Sequence, residues 1–153
     1  MRYGWSIDPQ AWSRADSEIQ KLEWKKVFLL EHQAPLVPQG SGVYLICVHP
    51  PVSRNKDVPR PLAILYNAIY AGQSRILRDR FKTHAKSTSE DIESAKRAYG
   101  NLDFWYAVVD SVDLNHLEAL LLDVLGPTAN RVNAPLQGKL GAPRPANSEI
   151  YRK

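Results

Sequence analysis

The chain of 153 residues has a single cysteine, Cys47, and a single methionine. One thiol cannot close an internal disulfide, and Cys47 lies in an apolar run, which suits a reducing compartment and predicts a cytoplasmic protein. No apolar stretch approaches the roughly 20 residues of a membrane-spanning helix, and Met1 to Ser6 lacks the apolar centre of a signal peptide, so no membrane partner is expected. The four histidines, His32, His49, His84 and His116, show no metal-ligand spacing, and no glycine-rich loop carries a phosphate-binding lysine. The chain therefore carries neither the zinc-hydrolase nor the P-loop signature.

What is present describes one domain with a proper core. Apolar residues make up 44% and charged residues 24%, an ordinary balance for a globular protein. The formal charge of +4 leans towards a polyanionic partner, though so small a surplus also suits a neutral ligand.

Asp8 is placed to cap a helix that Pro9 begins, and Trp12, Ala15, Ile19 and Leu22 recur at helical spacing. Val27 to Leu30 is expected to extend that helix or to form a second one. Pro35, Pro38, Gly40 and Gly42 break the pattern, so residues 1–38 read as an added helical arm. Gly42 to Val48 is a β-branched, aromatic strand, His49 to about Pro61 a polar loop, and Leu62 to Tyr70 a returning strand. A capping box at Ser87 to Glu90 opens a helix that Gly100 ends, and Phe104 to Val109 has the two-sided apolarity of a central strand. Asp113 is placed to cap a last helix, which Pro127 stops. Residues 39–134 thus read as the main domain and residues 135–153 as an extended tail.

Chemistry concentrates between Tyr70 and His84. Gly72 is expected to turn the chain and admit a ligand, and Ser74 to cap a short helix. Leu77 and Phe81 share the core face, with Arg80 and His84 along its edge; Arg75, Arg78, Asp79 and Lys82 face water. A plain amphipathic helix with solvated basic residues explains this stretch equally well. Glu118 falls inside the apolar arc of the last helix, where an ionised carboxylate costs several kcal/mol unless a cation or strong donors meet it. An ion pair with Arg80 would satisfy it. Asn130, in the Pro-x-x-Asn turn after the helix, can hold a backbone or side-chain group in place.

In this order the residues resemble the GIY-YIG nucleases. Gly42-Val43-Tyr44 matches the first motif and Tyr70-Ala71-Gly72 the second; Arg80, His84, Glu118 and Asn130 follow at the family's spacings. Val43 and Ala71 each stand where the family has isoleucine, and the interval from Tyr44 to Tyr70 is longer than usual. The resemblance implies an α+β fold, a small, mainly antiparallel three-stranded sheet flanked by helices. It also implies metal-dependent hydrolysis of phosphodiester bonds in nucleic acid, DNA first. Glu118 would hold one Mg²⁺ or Mn²⁺, Arg80 would stabilise phosphoryl charge, and Tyr70 or Tyr44 would be the general base, with Tyr70 favoured. His84 and Asn130 complete the catalytic set, and Gly72, Arg75, Arg78 and Lys82 are the expected nucleic-acid contacts. A nucleic-acid-binding module that does not cut is the second reading, and an interaction protein with a plain ion pair the third.

Overall fold

The computed structural model describes residues 7–49, 64–65, 67–86 and 90–129. Asp8 does start helix α1 (Pro9–Lys21): its Oδ1 accepts the N–H groups of Gln10 and Ala11, two donors that the first turn leaves without helical partners. Ala11, Ala15 and Ile19 form its buried stripe.

The next segment departs from expectation. Lys25–Phe28 is a strand, β1, paired antiparallel with β4 (Leu102–Val108), so Val27 neither extends the helix nor begins another. The open edge of β4 is the reason: with Val27 as their one buried side chain these four residues offer no apolar stripe for a helix, and their backbone groups find partners along β4. The sheet therefore has four strands rather than three, in the order β1-β4-β2-β3, all antiparallel, with β2 at Gly42–Val48 and β3 at Ala68–Ser74. The N-terminal residues complete the sheet as well as covering it.

Every residue of β2 is buried, as an inner strand covered on both faces requires. Val43, Leu45 and Cys47 face α1 and the last helix, α4 (Leu114–Ala129); Tyr44, Ile46 and Val48 face a 3₁₀ segment (Glu31–Leu36), α2 (Leu77–Ala85) and α3 (Glu90–Tyr99). Gly100, at φ 84°, ends α3 in the left-handed region that glycine takes without strain.

Three other expectations change. The returning strand starts at Ala68 and runs through Gly72 to Ser74, so Gly72 lies opposite Tyr44 inside the ladder and does not turn the chain. Ser74 does not cap α2. Its Oγ instead closes a local turn with Ile76, while the first N–H groups of α2 are met by the carbonyls of Gly40 and Pro38. Helix α4 continues past Pro127 to Ala129; a proline lacks an N–H, but the residues after it remain free to be helical. A 3₁₀ turn, Ser111–Asp113, leads into α4, so Asp113 ends that turn, whose own cap is Asp110 with Oδ1 accepting from Val112 N. Most of the polar loop, Ser87 to Ser89 of the capping box, Asn130 and the tail lie outside the described residues.

Candidate functional site

The site forms at the edge strand β3, where Gly72, with no side chain of its own, leaves room on one face for Tyr44 and Gln73 next to it reaches Glu118 on the other. Tyr44 comes from β2, one strand in, and lies over Gly72: a Cβ there would stand 2.7 Å from the Tyr44 hydroxyl. Gly72 thus permits the close approach of a phenol. From α2, His84 reaches in until its Nε2 is 3.0 Å from Tyr44 Oη, a buried hydrogen bond. Tyr70 completes the group, stacked on Tyr44 at 5.9 Å between ring centres and edge-on to His84 at 5.0 Å. Phe104 stacks on the ring of Tyr44 at 5.1 Å and Phe81 packs against Phe104, which holds the phenol in one orientation.

Charge reaches this group from both sides. The Tyr44 phenol is pushed far above its ordinary range, by burial first and by the neighbouring Tyr70 second; Arg80 pulls it back down and Glu118 pushes it up. Arg80 on α2 and Glu118 on α4 therefore act on the same hydroxyl. His84 is pushed down to about 4, by burial first and by Arg80 second. At neutral pH the pair is a phenol and a neutral imidazole, so one proton holds them together.

Glu118 is half-buried, and no ion pair joins it to Arg80 among the described residues. Its partner is Gln73, whose Nε2 donates to Glu118 Oε1 at 2.8 Å and to Asn115 Oδ1 at 2.6 Å. Neither Gln73 nor Asn115 was apparent as a functional candidate in the sequence. The available signal was alternation in β3, which turns Gln73 to the face opposite Gly72, together with the three-residue spacing of Asn115 and Glu118 on one helix face.

Arg80 is exposed and lines an open groove along β3 and α2 with Gln73, Ser74, Arg75 and Ile76. Lys82 is also exposed. Arg78 is engaged differently: its Nε donates to Val37 O at 2.8 Å and its Nη2 to Pro35 O at 3.3 Å, tying α2 to the 3₁₀ segment. Asn130 lies outside the described residues. Among those described, no group of three or more His, Cys, Asp or Glu side chains gathers to hold a metal. One carboxylate with its neighbouring oxygens still suits a hard cation that keeps most of its waters, and Glu118 is the residue here with that chemistry.

Among the described residues no helix is long and apolar enough to cross a membrane. Compared with family models, curated proteins and solved structures, the chain gives no match.

Proposed function

We propose that this chain is a cytoplasmic, metal-dependent endonuclease of the GIY-YIG type, hydrolysing phosphodiester bonds of nucleic acid, with DNA the first substrate to test. The observation that carries the reading is the Tyr44–His84 hydrogen bond beside an edge strand, at a phenol that Arg80 and Glu118 influence in opposite directions.

The roles follow from what each side chain can do. Arg80, exposed in the groove, meets phosphoryl oxygens and stabilises the charge they gain as water attacks. Glu118 holds Mg²⁺ or Mn²⁺, which when bound supplies positive charge to the phosphoryl oxygens and to the attacking water. Tyr44 keeps its proton tightly and is the hydrogen-bonding partner, its orientation fixed by His84. Tyr70, stacked beside it, is the base that takes a proton from water, a task for which a phenol needs neighbouring positive charge. Arg75 adds a second cation to the groove beside Arg80 and Lys82 an exposed one on α2, while Arg78 holds that helix in place.

The test is cleavage of labelled single- and double-stranded DNA and RNA with Mg²⁺ or Mn²⁺, for the wild type, Glu118→Ala and Tyr70→Phe. Metal-dependent cutting that both substitutions abolish is the expected result. Salt-sensitive binding without cutting would instead make the chain a non-catalytic nucleic-acid-binding module. Neither binding nor cutting would remove nucleic acid from its function.

A further inference from the structure

We infer that Gln73 is the positioning residue for the Glu118 carboxylate, and that Asn115 anchors Gln73 instead of serving as a second metal ligand. The inference rests on the reading of Glu118 as the cation-holding residue.

Donor and acceptor chemistry decides which atoms of the three side chains face one another. An ionised carboxylate only accepts hydrogen bonds, so the Gln73 atom 2.8 Å from Glu118 Oε1 is the amide nitrogen and not its oxygen. That nitrogen has a second N–H, which needs an acceptor of its own. The Asn115 atom 2.6 Å away is therefore its carbonyl oxygen. One carboxylate thus fixes the orientation of two amides in turn. The Asn115 oxygen is committed to Gln73, and its NH₂ group is a donor with nothing to offer a cation.

The arrangement has a mechanical consequence for Glu118. Its side chain leaves a half-buried position on α4, and a free glutamate there would sample several rotamers. Gln73 belongs to the edge strand, next to the glycine over which Tyr44 lies, so its hydrogen bond ties the carboxylate to the same strand that registers the phenol. Oε1 takes the donor, which leaves the other carboxylate oxygen for the cation. Outer partners of this kind, donating to a metal-binding carboxylate, commonly change metal affinity by about 10- to 100-fold when removed.

The experiment is a Mn²⁺ titration of the full chain, following paramagnetic broadening of backbone amide signals in nuclear magnetic resonance spectra. The comparison is among the wild type, Gln73→Met, Asn115→Ala and Glu118→Gln. Methionine matches the length of glutamine without its donor, and the melting temperature of each variant checks that the fold is kept. Broadening centred on Glu118 in the wild type, absent in Glu118→Gln, weakened at least about tenfold in Gln73→Met and by less in Asn115→Ala, is the expected pattern. Equal Mn²⁺ affinity in Gln73→Met and wild type overturns the inference, as does wild type without broadening at α4. An Asn115→Ala loss as large as that of Glu118→Gln would make Asn115 a ligand and overturn the second half.

Cleavage assays on the same samples separate this inference from the nuclease reading. A wild type that cuts, with a Gln73→Met variant that binds Mn²⁺ equally well, removes the role of Gln73 and leaves the nuclease. Gln73-dependent Mn²⁺ binding without any cutting leaves the role of Gln73 and removes the nuclease.

Discussion

The two faces of one sheet are built from different materials. Against α1 and α4 the core is mainly aliphatic, with Trp24 among its buried residues and Trp12 and Trp105 at its margin: Ala11, Ala15 and Ile19 meet Val43, Leu45, Leu117, Leu121 and Val124. Against α2, α3 and the 3₁₀ segment it is aromatic, with Tyr44, Tyr70, Phe81, Phe104 and Tyr106 around the buried His84. The first face has few buried polar atoms and they are met close by, the Trp24 indole N–H by Ile19 O and the Cys47 thiol by Ile64 O, so that face serves mainly stability. The aromatic face also buries phenols and an imidazole, each of which costs free energy unless its polar atom finds a partner. It is the face that brings chemistry to the edge of the sheet. The aliphatic side adds only Glu118, held at its margin by Gln73.

If the faces differ in this way, truncating the aliphatic one should lower stability without touching the site. Leu121→Ala, at a fully buried position, is expected to cost about 2–5 kcal/mol in denaturant unfolding, while the fraction that remains folded keeps its Tyr44–His84 contact and its cleavage rate. A change in that contact would show that the faces are not separable.

Acid should act through the aromatic face. His84 is pushed from 6.5 down to about 4, so its neutral form is favoured in the folded chain and the unfolded chain binds the proton first. That stabilisation is complete above the unfolded value and falls as pH drops from about 6.5 to about 4, by up to about 3 kcal/mol. Unfolding measured against pH should show this slope in wild type and a shallower one in His84→Gln. Equal slopes would move the acid sensitivity elsewhere.

Gly72→Ala tests the meeting point. The new Cβ would press on the Tyr44 hydroxyl and on Cζ at 2.8 Å, and Tyr44, stacked on Phe104, has little room to yield. We expect a loss of about 1–3 kcal/mol, a changed His84 ring signal and lost cleavage. Tyr44→Phe keeps the ring and removes the hydroxyl; it is expected to cost about 1–2 kcal/mol, since His84 Nε2 loses its buried partner. The smallest effect belongs to the pair that joins α1 and α4 at the surface, His116 Nε2 with Glu18 Oε1 at 2.9 Å. Both side chains are about half exposed, so His116→Ala should change stability by less than about 0.5 kcal/mol.

How far the sequence reached can be judged residue by residue. Asp8 and Pro9 started a helix where local capping chemistry said they would, and the burial of Leu77 and Phe81 followed from helical spacing; the same spacing put His84 and Arg80 together at the edge, where the structure buries His84 and leaves Arg80 exposed. The strand at Lys25–Phe28 was not legible, because four residues with one buried side chain carry no periodic signal, and only the open edge of β4 gives them a partner. Gly72 looked like a turn for a related reason. A glycine in sequence says that a Cβ is unwelcome, but whether a bend or a neighbouring phenol forbids it depends on Tyr44, 28 positions earlier.

The same division holds for the site. Sequence by itself determined that Tyr44, Tyr70, Arg80, His84 and Glu118 stand in this order, on elements whose periodicity is a local property of the chain. Tertiary structure alone decided that Tyr44 is the phenol bonded to His84, that Arg78 is spent on the carbonyls of Val37 and Pro35, and that Glu118 answers to Gln73 instead of Arg80. Those are choices among partners far apart in the chain. They depend on which strands lie side by side and which helix covers which face, and a polar group takes whichever partner that packing leaves within reach.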